Sequence, residues 1–228
     1  MNTTLLLRFD GPMQSWSVAG FADRPTLPFP TKSGIIGLLA NAHGRKRSES
    51  IDDLAALTTG VRADEKGCPL TDFQIAGHDG WRSANGKLHT EASKIRRKGY
   101  LTDAVFTAAL SGPASVIEHT ASAVRRPARP LFLGRRCCPP AAPILIGVCE
   151  LTVLDALRSV PYQGHRPEPP ASFLAALDAE AGELWDDAPV SFASGHREHR
   201  PRPVTVVELE YTGPGRAQSG EAVPEAAA

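Results

Sequence analysis

Thr31, Lys32 and Ser33 stand just before an apolar run (Ile35, Ile36, Leu38, Leu39), an order that puts a hydroxyl and a lysine at the first turn of a helix. Free backbone N–H groups and the helix dipole at such a turn favour a phosphate. The bland alternative is a capping threonine followed by a solvated lysine. A P-loop is excluded, because Thr31 rather than glycine precedes Lys32 and Thr26 occupies the place of the loop's first glycine. Arg96, Arg97 and Lys98, next to Tyr100, combine phosphate-binding charge with a possible stacking surface. Arg135 and Arg136 offer guanidinium forks suited to phosphate or base contacts, or else to a nearby acid or a neighbouring protein. Gln14 and Trp16 follow a strand-like run in a Gly-Pro turn. An indole there could stack on a splayed base and an amide could read its edge; burial of Trp16 in the core is the alternative.

Acid–base chemistry has candidates in His43, His89, His119 and the cluster His196-Arg197-Glu198-His199, none of them placed by an interpretable motif. His196 and His199 do not match the H-E-x-x-H pattern. The cysteines, Cys68, Cys137, Cys138 and Cys149, include an adjacent pair but no C-x-x-C or Cys/His ligand spacing, so no metal and no cofactor is expected. They read as free thiols of a cytoplasmic protein. The N-terminus lacks the pattern of a signal peptide, and no apolar stretch approaches the ~20 residues of a membrane span.

The 228 residues are 42% hydrophobic with a formal net charge of zero, so total charge says nothing about a polyanion. Its distribution does. Residues 81–100 hold six bases against one acid, and residues 125–136 hold five arginines and no acid. Residues 178–187 hold five acids and no base. Such separation can present a basic face to nucleic acid and an acidic one to a partner protein.

The elements that must position these groups follow from periodicity and turn signals. A strand is expected over 5–9, a helix over 32–43 ended by Gly44, a short helix over 51–57, and strands over 61–64 and 73–76. Residues 77–99 have little apolar periodicity and many bases, and read as a protruding hairpin or loop. A strand over 100–110, a helix over 111–124 and a strand over 144–153 complete a β-α-β-β-α-β order, the ferredoxin-like arrangement. Beyond a proline-rich linker (161–170), a helix over 171–185 and strands over 190–193 and 204–211 are expected. The fold class is therefore α+β: a ferredoxin-like core over 1–153 with a protruding basic segment at 77–99. A smaller β-rich C-terminal lobe over 154–211 and a disordered tail over 212–228 follow.

Gly11-Pro12-Met13-Gln14-Ser15-Trp16, Phe29-Pro30-Thr31-Lys32-Ser33-Gly34 and Pro130-Leu131-Phe132-Leu133-Gly134-Arg135-Arg136-Cys137-Cys138-Pro139 occur in this order with Tyr100-Leu101-Thr102-Asp103-Ala104-Val105-Phe106 between them. With these blocks the chain resembles the family-five Cas proteins of type I-E CRISPR systems, RAMP-superfamily subunits of the Cascade complex. The resemblance runs from residue 5 to about 150, and resumes at Ser191-Phe192-Ala193-Ser194-Gly195-His196-Arg197-Glu198. It implies a ferredoxin-like (RNA-recognition-type) core with a protruding basic thumb at 77–99, binding the 5′ handle of the guide RNA and capping the complex. It also implies partners among the other Cascade subunits (backbone and large subunits), with target DNA met indirectly and no membrane. Guide processing falls to a different subunit, so this one is implied to be noncatalytic. The rival readings are a metal-independent endoribonuclease acting on guide precursor, and a protein-docking role without direct RNA contact.

Overall fold

Leu5, Leu6, Leu7 and Phe9 form an apolar run interrupted only by Arg8, which suits a strand covered on both faces. The computed structural model describes residues 3–17, 25–77, 80–83, 85–90 and 93–214, and this run is its strand β1 (Thr3–Asp10). Leu5, Leu7 and Phe9 face one hydrophobic cluster, while Leu6 faces a second with Ala109, Ala156 and Leu157. The period of two thus divides one apolar run between two cores.

After β2 (Met13–Gln14) come α1 (Lys32–Ala42), α2 (Asp52–Ala55) and β3 (Thr58–Glu65). Thr31 caps α1, its hydroxyl accepting from the Gly34 N–H at 3.1 Å, and Gly44 ends it at φ +73°. Then follow β4 (Cys68–Ala76), β5 (Trp81–Arg82), β6 (Leu88–His89), β7 (Lys94–Thr102), β8 (Val105–Gly112), α3 (Ala114–Arg125) and β9 (Leu145–Cys149). The chain closes with α4 (Val153–Ser159), β10 (Ser172–Ser191) and β11 (Glu198–Glu210). The main sheet has six strands in the order β11-β10-β3-β8-β1-β9. Hence β8 lies between the two strands joined by α1, and β1 lies between the two joined by α3. Buried residues of α1 and α3 belong to the larger cluster; those of α4 belong to the smaller one on the opposite side.

Three elements differ from the sequence reading. The strand expected over 100–110 is two strands, because Asp103 adopts φ +54° and turns β7 out of the main sheet before β8 enters it. The helix expected over 111–124 starts at Ala114, since Ser111 and Gly112 still pair with β1. The helix expected over 171–185 is instead β10. Its Leu-Ala-Ala-Leu segment favours helix locally, yet Ala175, Ala176 and Leu177 pair with Arg62, Val61 and Gly60 of β3, and β11 covers the other edge. Pairing on both edges outweighs weak propensity. Gly60 permits the approach: a Cβ there would meet Val153 Cγ1 at 2.5 Å and Leu177 Cδ2 at 2.8 Å.

Residues 154–211, expected as a smaller lobe, supply most of α4 and two strands of the main sheet, β10 hydrogen-bonded to β3 and β11 to β10. The basic segment expected at 77–99 is part of a longer antiparallel pair, β4 with β7, paired from Cys68↔Thr102 to Ala76↔Lys94. Short β5 and β6 pair beyond its end, with Trp81 stacked on His89 at 4.2 Å. Of the expected tail, residues 215–228 lie outside the described residues. Among the described residues no helix is long and apolar enough to cross a membrane.

Candidate nucleic-acid interface

Alternation along β7 puts Arg96, Lys98 and Tyr100 on one face of the strand and Arg97 on the other. Successive same-face side chains are about 7 Å apart. Arg96 and Lys98 are half-buried and Arg97 is exposed, its guanidinium 5.8 Å from the Phe73 ring across the pair. Tyr100 lies at the foot of the pair, where β2 adds a third strand through Met13↔Thr102 and Gln14↔Leu101.

Over the Tyr100 ring stands Arg135, its guanidinium carbon 4.7 Å from the ring centroid. Arg135 arrives on the turn between α3 and β9. Cys138 N–H donates to the Arg135 carbonyl at 2.9 Å, and Leu133 N–H donates to the Cys138 carbonyl at 2.8 Å. Gly134, at φ +82°, lets this turn pass the Ser15 carbonyl, against which any Cβ would collide. Burial raises the Tyr100 hydroxyl above its ordinary pKa, with Arg135 opposing. The structure therefore joins two sequence candidates, Tyr100 and Arg135, with exposed Arg136 beside them and Lys98 and Arg96 leading outward along β7. A ladder of cations ending in a cation-capped ring is suited to a single-stranded polyanion.

Gln14 and Trp16 do not join it. Gln14 is 0% exposed and Trp16 1%. The Gln14 amide donates to the carbonyls of Phe9 (3.0 Å) and Ala104 (2.7 Å), and its oxygen accepts from the Trp16 indole N–H at 3.0 Å. The indole packs against Phe9 and Gly34. Its ring has no open face for a base, and the amide has its groups engaged. These two residues fix the turn that holds β2 against β7.

Thr31, Lys32 and Ser33 do open a helix, but an internal carboxylate stands where the phosphate was expected. Asp187 accepts from the Lys32 backbone N–H at 2.7 Å, and Asp178 accepts from the Lys32 ammonium at 2.9 Å. Arg202 donates to Asp187 at 2.6 and 3.0 Å and pairs with Asp178. The acidic run expected as an exposed face is thus split. Asp178 and Asp187 turn inward to this cluster, while Glu180, Glu183 and Asp186 are exposed. Sequence reading missed the cluster because the helix expected over 171–185 put Asp178 on the wrong element.

A second latch also went unseen. Arg62 and Asp64, both buried on β3, pair at 2.7 Å, and Arg62 donates to the carbonyls of Leu157, Val160 and Pro161. Asp64 accepts from the Gln163 N–H, and Glu65 accepts from the His165 and Arg166 N–H groups and the Tyr162 hydroxyl. Burial disfavours the Glu65 charge, yet these donors hold its pKa below the usual range. The Tyr162 hydroxyl, buried against that carboxylate, is pushed up to about 12.

The histidines divide. His43 and His119 meet between α1 and α3 with ring centroids 4.8 Å apart, His43 Nε2 lying 3.2 Å from the Thr120 hydroxyl. Burial, then Arg45 and His119, lowers the His43 pKa. His196 is exposed in the β10–β11 loop, 3.7 Å from Glu198, and His165 lies 3.1 Å from Asp10. Among the described residues no group of three or more His, Cys, Asp or Glu is placed to hold a metal ion.

A family model described as CRISPR-associated protein (Cas_Cas5) matches residues 4–205. CRISPR system Cascade subunit CasD of Escherichia coli (strain K12) is 34% identical over 166 residues, spanning 66% of this chain and 73% of that protein. A solved structure described as "Crystal structure of Cas protein" is 36% identical with a TM-score of 0.73, over 91% of this chain and 95% of the other. A chain of a "CRISPR RNA-guided surveillance complex" is 31% identical with a TM-score of 0.76, over 91% and 90%. With the family model matched along most of its length, this chain belongs to the CRISPR-associated Cas5 family.

Proposed function

We propose that this chain is a noncatalytic subunit of a type I-E CRISPR surveillance complex in the cytoplasm, capping it and gripping the 5′ handle of the guide RNA. The observation that carries the reading is its likeness, at 31% identity and nearly full coverage of both chains, to a component of an RNA-guided surveillance complex. The 34% identity to a Cascade subunit agrees with it. In this reading the two β-α-β units, each split by a strand of the other, are a ferredoxin-like core. The β4–β7 pair is its thumb, and Arg96, Arg97, Lys98, Tyr100, Arg135 and Arg136 meet the RNA. Cations on a strand supply phosphate contacts that fix register, and the Tyr100–Arg135 pair supplies a planar surface at the foot. The other partners are the backbone and large subunits, with target DNA reached through the guide.

Gln14 and Trp16 hold β2 to β7 at the foot of this surface, whereas Thr31, Lys32 and Ser33 open α1, with Lys32 engaged by Asp178 and Asp187. The test is binding of repeat-derived RNA carrying the 5′ handle, with an RNA of scrambled handle as competitor. Preference for the intact handle, lost on Arg135→Ala with Lys98→Ala, is the expected result. Equal affinity for both RNAs would remove the handle from the reading. In the same tubes, no defined cleavage product is expected; a single cut lost on His43→Ala or His119→Ala would restore the endoribonuclease reading.

A further inference from the structure

Cys137 and Cys138 sit at the foot of the basic pair with their Sγ atoms 3.9 Å apart. Cys137 is exposed and Cys138 is buried in the main core. Cys137 Sγ lies 3.7 Å from the Tyr100 hydroxyl, and Arg135 stands over the same ring. One thiol is therefore open to solvent beside a guanidinium, with a second thiol directly behind it. An accessible sulfur near a cation, backed by a resolving sulfur, is the arrangement of a redox-sensitive thiol.

We propose that Cys137 and Cys138 form an oxidisable vicinal dithiol, which a hydroperoxide converts to a disulfide, and that this oxidation releases Arg135 from Tyr100. The second half rests on the guide-RNA reading above; the first does not. In the first step the Cys137 thiolate attacks a peroxide oxygen. An S–O bond forms, the O–O bond breaks, and hydroxide or alkoxide leaves and takes up a proton. Sulfur is oxidised by two electrons to the sulfenic acid and the peroxide is reduced. In the second step Cys138 Sγ attacks the sulfenic sulfur. The S–S bond forms, the S–O bond breaks, and water leaves carrying the Cys138 proton.

The order of attack follows from placement. Burial, with Cys137 adding to it, pushes the Cys138 thiol up to about 12, so exposed Cys137 meets the peroxide first, and Cys138 gives its proton to the departing hydroxide as its sulfur attacks. The sulfurs must close from 3.9 Å to about 2.05 Å. Cys138 is fixed in the core, so Cys137 makes most of that movement, away from the Tyr100 hydroxyl. Arg135 lies two residues before Cys137 in the same short turn, so the backbone shift that brings Cys137 inward is carried to it and strains the Cys138 N–H to Arg135 carbonyl bond. Adjacent residues have Cα atoms only about 3.8 Å apart, below the usual disulfide range of roughly 4.4–6.8 Å. The closed form is consequently strained and readily reduced, as suits a reversible switch rather than a structural bond.

Trypsin leaves Cys137, Cys138 and Cys149 on one peptide, so the experiment uses the full chain with Cys149→Ser. The protein is treated with hydrogen peroxide, alkylated under denaturing conditions and mapped by mass. Loss of two hydrogens from the peptide over 137–158, reversed by dithiothreitol, is expected. Cys138→Ser should instead trap a dimedone-reactive sulfenic acid at Cys137, and Cys137→Ser should leave Cys138 reduced. Two alkylatable thiols persisting at peroxide doses that oxidise exposed Cys68 would overturn the proposal. So would a sulfinic acid at Cys137 beside a free Cys138. The second readout is affinity for handle RNA, expected to fall about tenfold on oxidation as one charge-assisted grip is lost, and to return with dithiothreitol. A disulfide with unchanged affinity would overturn the coupling to Arg135. Failure of the reduced protein to bind this RNA would overturn the guide reading, with the mass result still deciding the dithiol.

Discussion

Arg135 and Lys32 are both cations within short motifs, yet their surroundings give them different work. Arg135 stands over an aromatic ring at the edge of a basic strand, whereas Lys32 faces Asp178 at 2.9 Å with its backbone N–H on Asp187. A charge spent on an internal carboxylate stabilises the fold and adds nothing to a phosphate grip. Lys32→Met should therefore leave affinity for handle RNA unchanged while lowering stability by about 1.5–3 kcal/mol, the range for a hydrogen bond to a charged group. Arg135→Ala should do the reverse, weakening RNA binding about tenfold with little change in urea midpoint. Paired titrations and urea melts of the two variants separate the roles. A loss of RNA affinity in Lys32→Met larger than in Arg135→Ala would put the grip at the α1 N-terminus after all.

At the scale of elements, the arm formed by β4 and β7 decides what can be removed. Its outer part carries Phe73, Ile75 and Ile95 at 51%, 63% and 53% exposure, so little of the core depends on it. Its foot is different: Tyr100 and Leu101 are buried and pair with β4 and β2. Replacing residues 72–98 with a short Gly-Ser turn should leave a cooperative melt but a complex with reduced guide content. A noncooperative melt would show that the arm is part of the folding unit. The α1–α3 contact has a pH signature. Burial lowers the His43 pKa, so the folded state keeps this ring neutral while the unfolded chain protonates it near its ordinary value of 6.5. Its contribution is present above about 6.5 and is lost as pH falls through that value toward the lower folded pKa. His43→Gln should flatten the fall in stability between pH 7.5 and 5, read by urea denaturation; an unchanged slope would assign it elsewhere. Much of this frame was legible in the sequence. The run from Leu5 to Phe9, the Thr31 cap and Gly44 stop, and the basic stretch around Arg96 are local signals, and each falls in the element that carries it. What was not legible is non-local. Nothing near Leu174 announces that β3 and β11 will pair with it, and nothing near Gln14 shows that Ala104 will receive its amide. The Tyr100–Arg135 contact spans two segments that only the closed sheet brings together.

For the molecule as a whole, zero net charge conceals a division of labour. Part of the acidic run is folded inward, where Asp178 and Asp187 meet Lys32 and Arg202, and part stays outside as Glu180, Glu183 and Asp186. Five cations, Arg96, Arg97, Lys98, Arg135 and Arg136, collect along β7 and the turn at its foot. If all five neutralise phosphates of a single strand, the observed binding constant should fall with salt at a log–log slope of about −3.5. Arg135→Glu with Arg136→Glu should flatten that slope to about −2, since two of the five contacts are removed and repulsion replaces them. Glu180→Lys with Glu183→Lys tests the opposite face, at positions exposed enough to change charge without opening the Asp178 cluster. That pair should leave the affinity at a given salt concentration no weaker. The comparison is internal, because both double variants change net charge by the same amount with opposite sign. A protein that read only total charge would bind RNA more tightly in the second variant with the same slope change as it loses in the first. A protein with a localised grip changes its slope only when the grip itself is altered. Equal and opposite slope changes would therefore rule out a bounded interface on β7, whereas a flattened slope confined to the arginine variant would locate the phosphate contacts at the Arg135 turn.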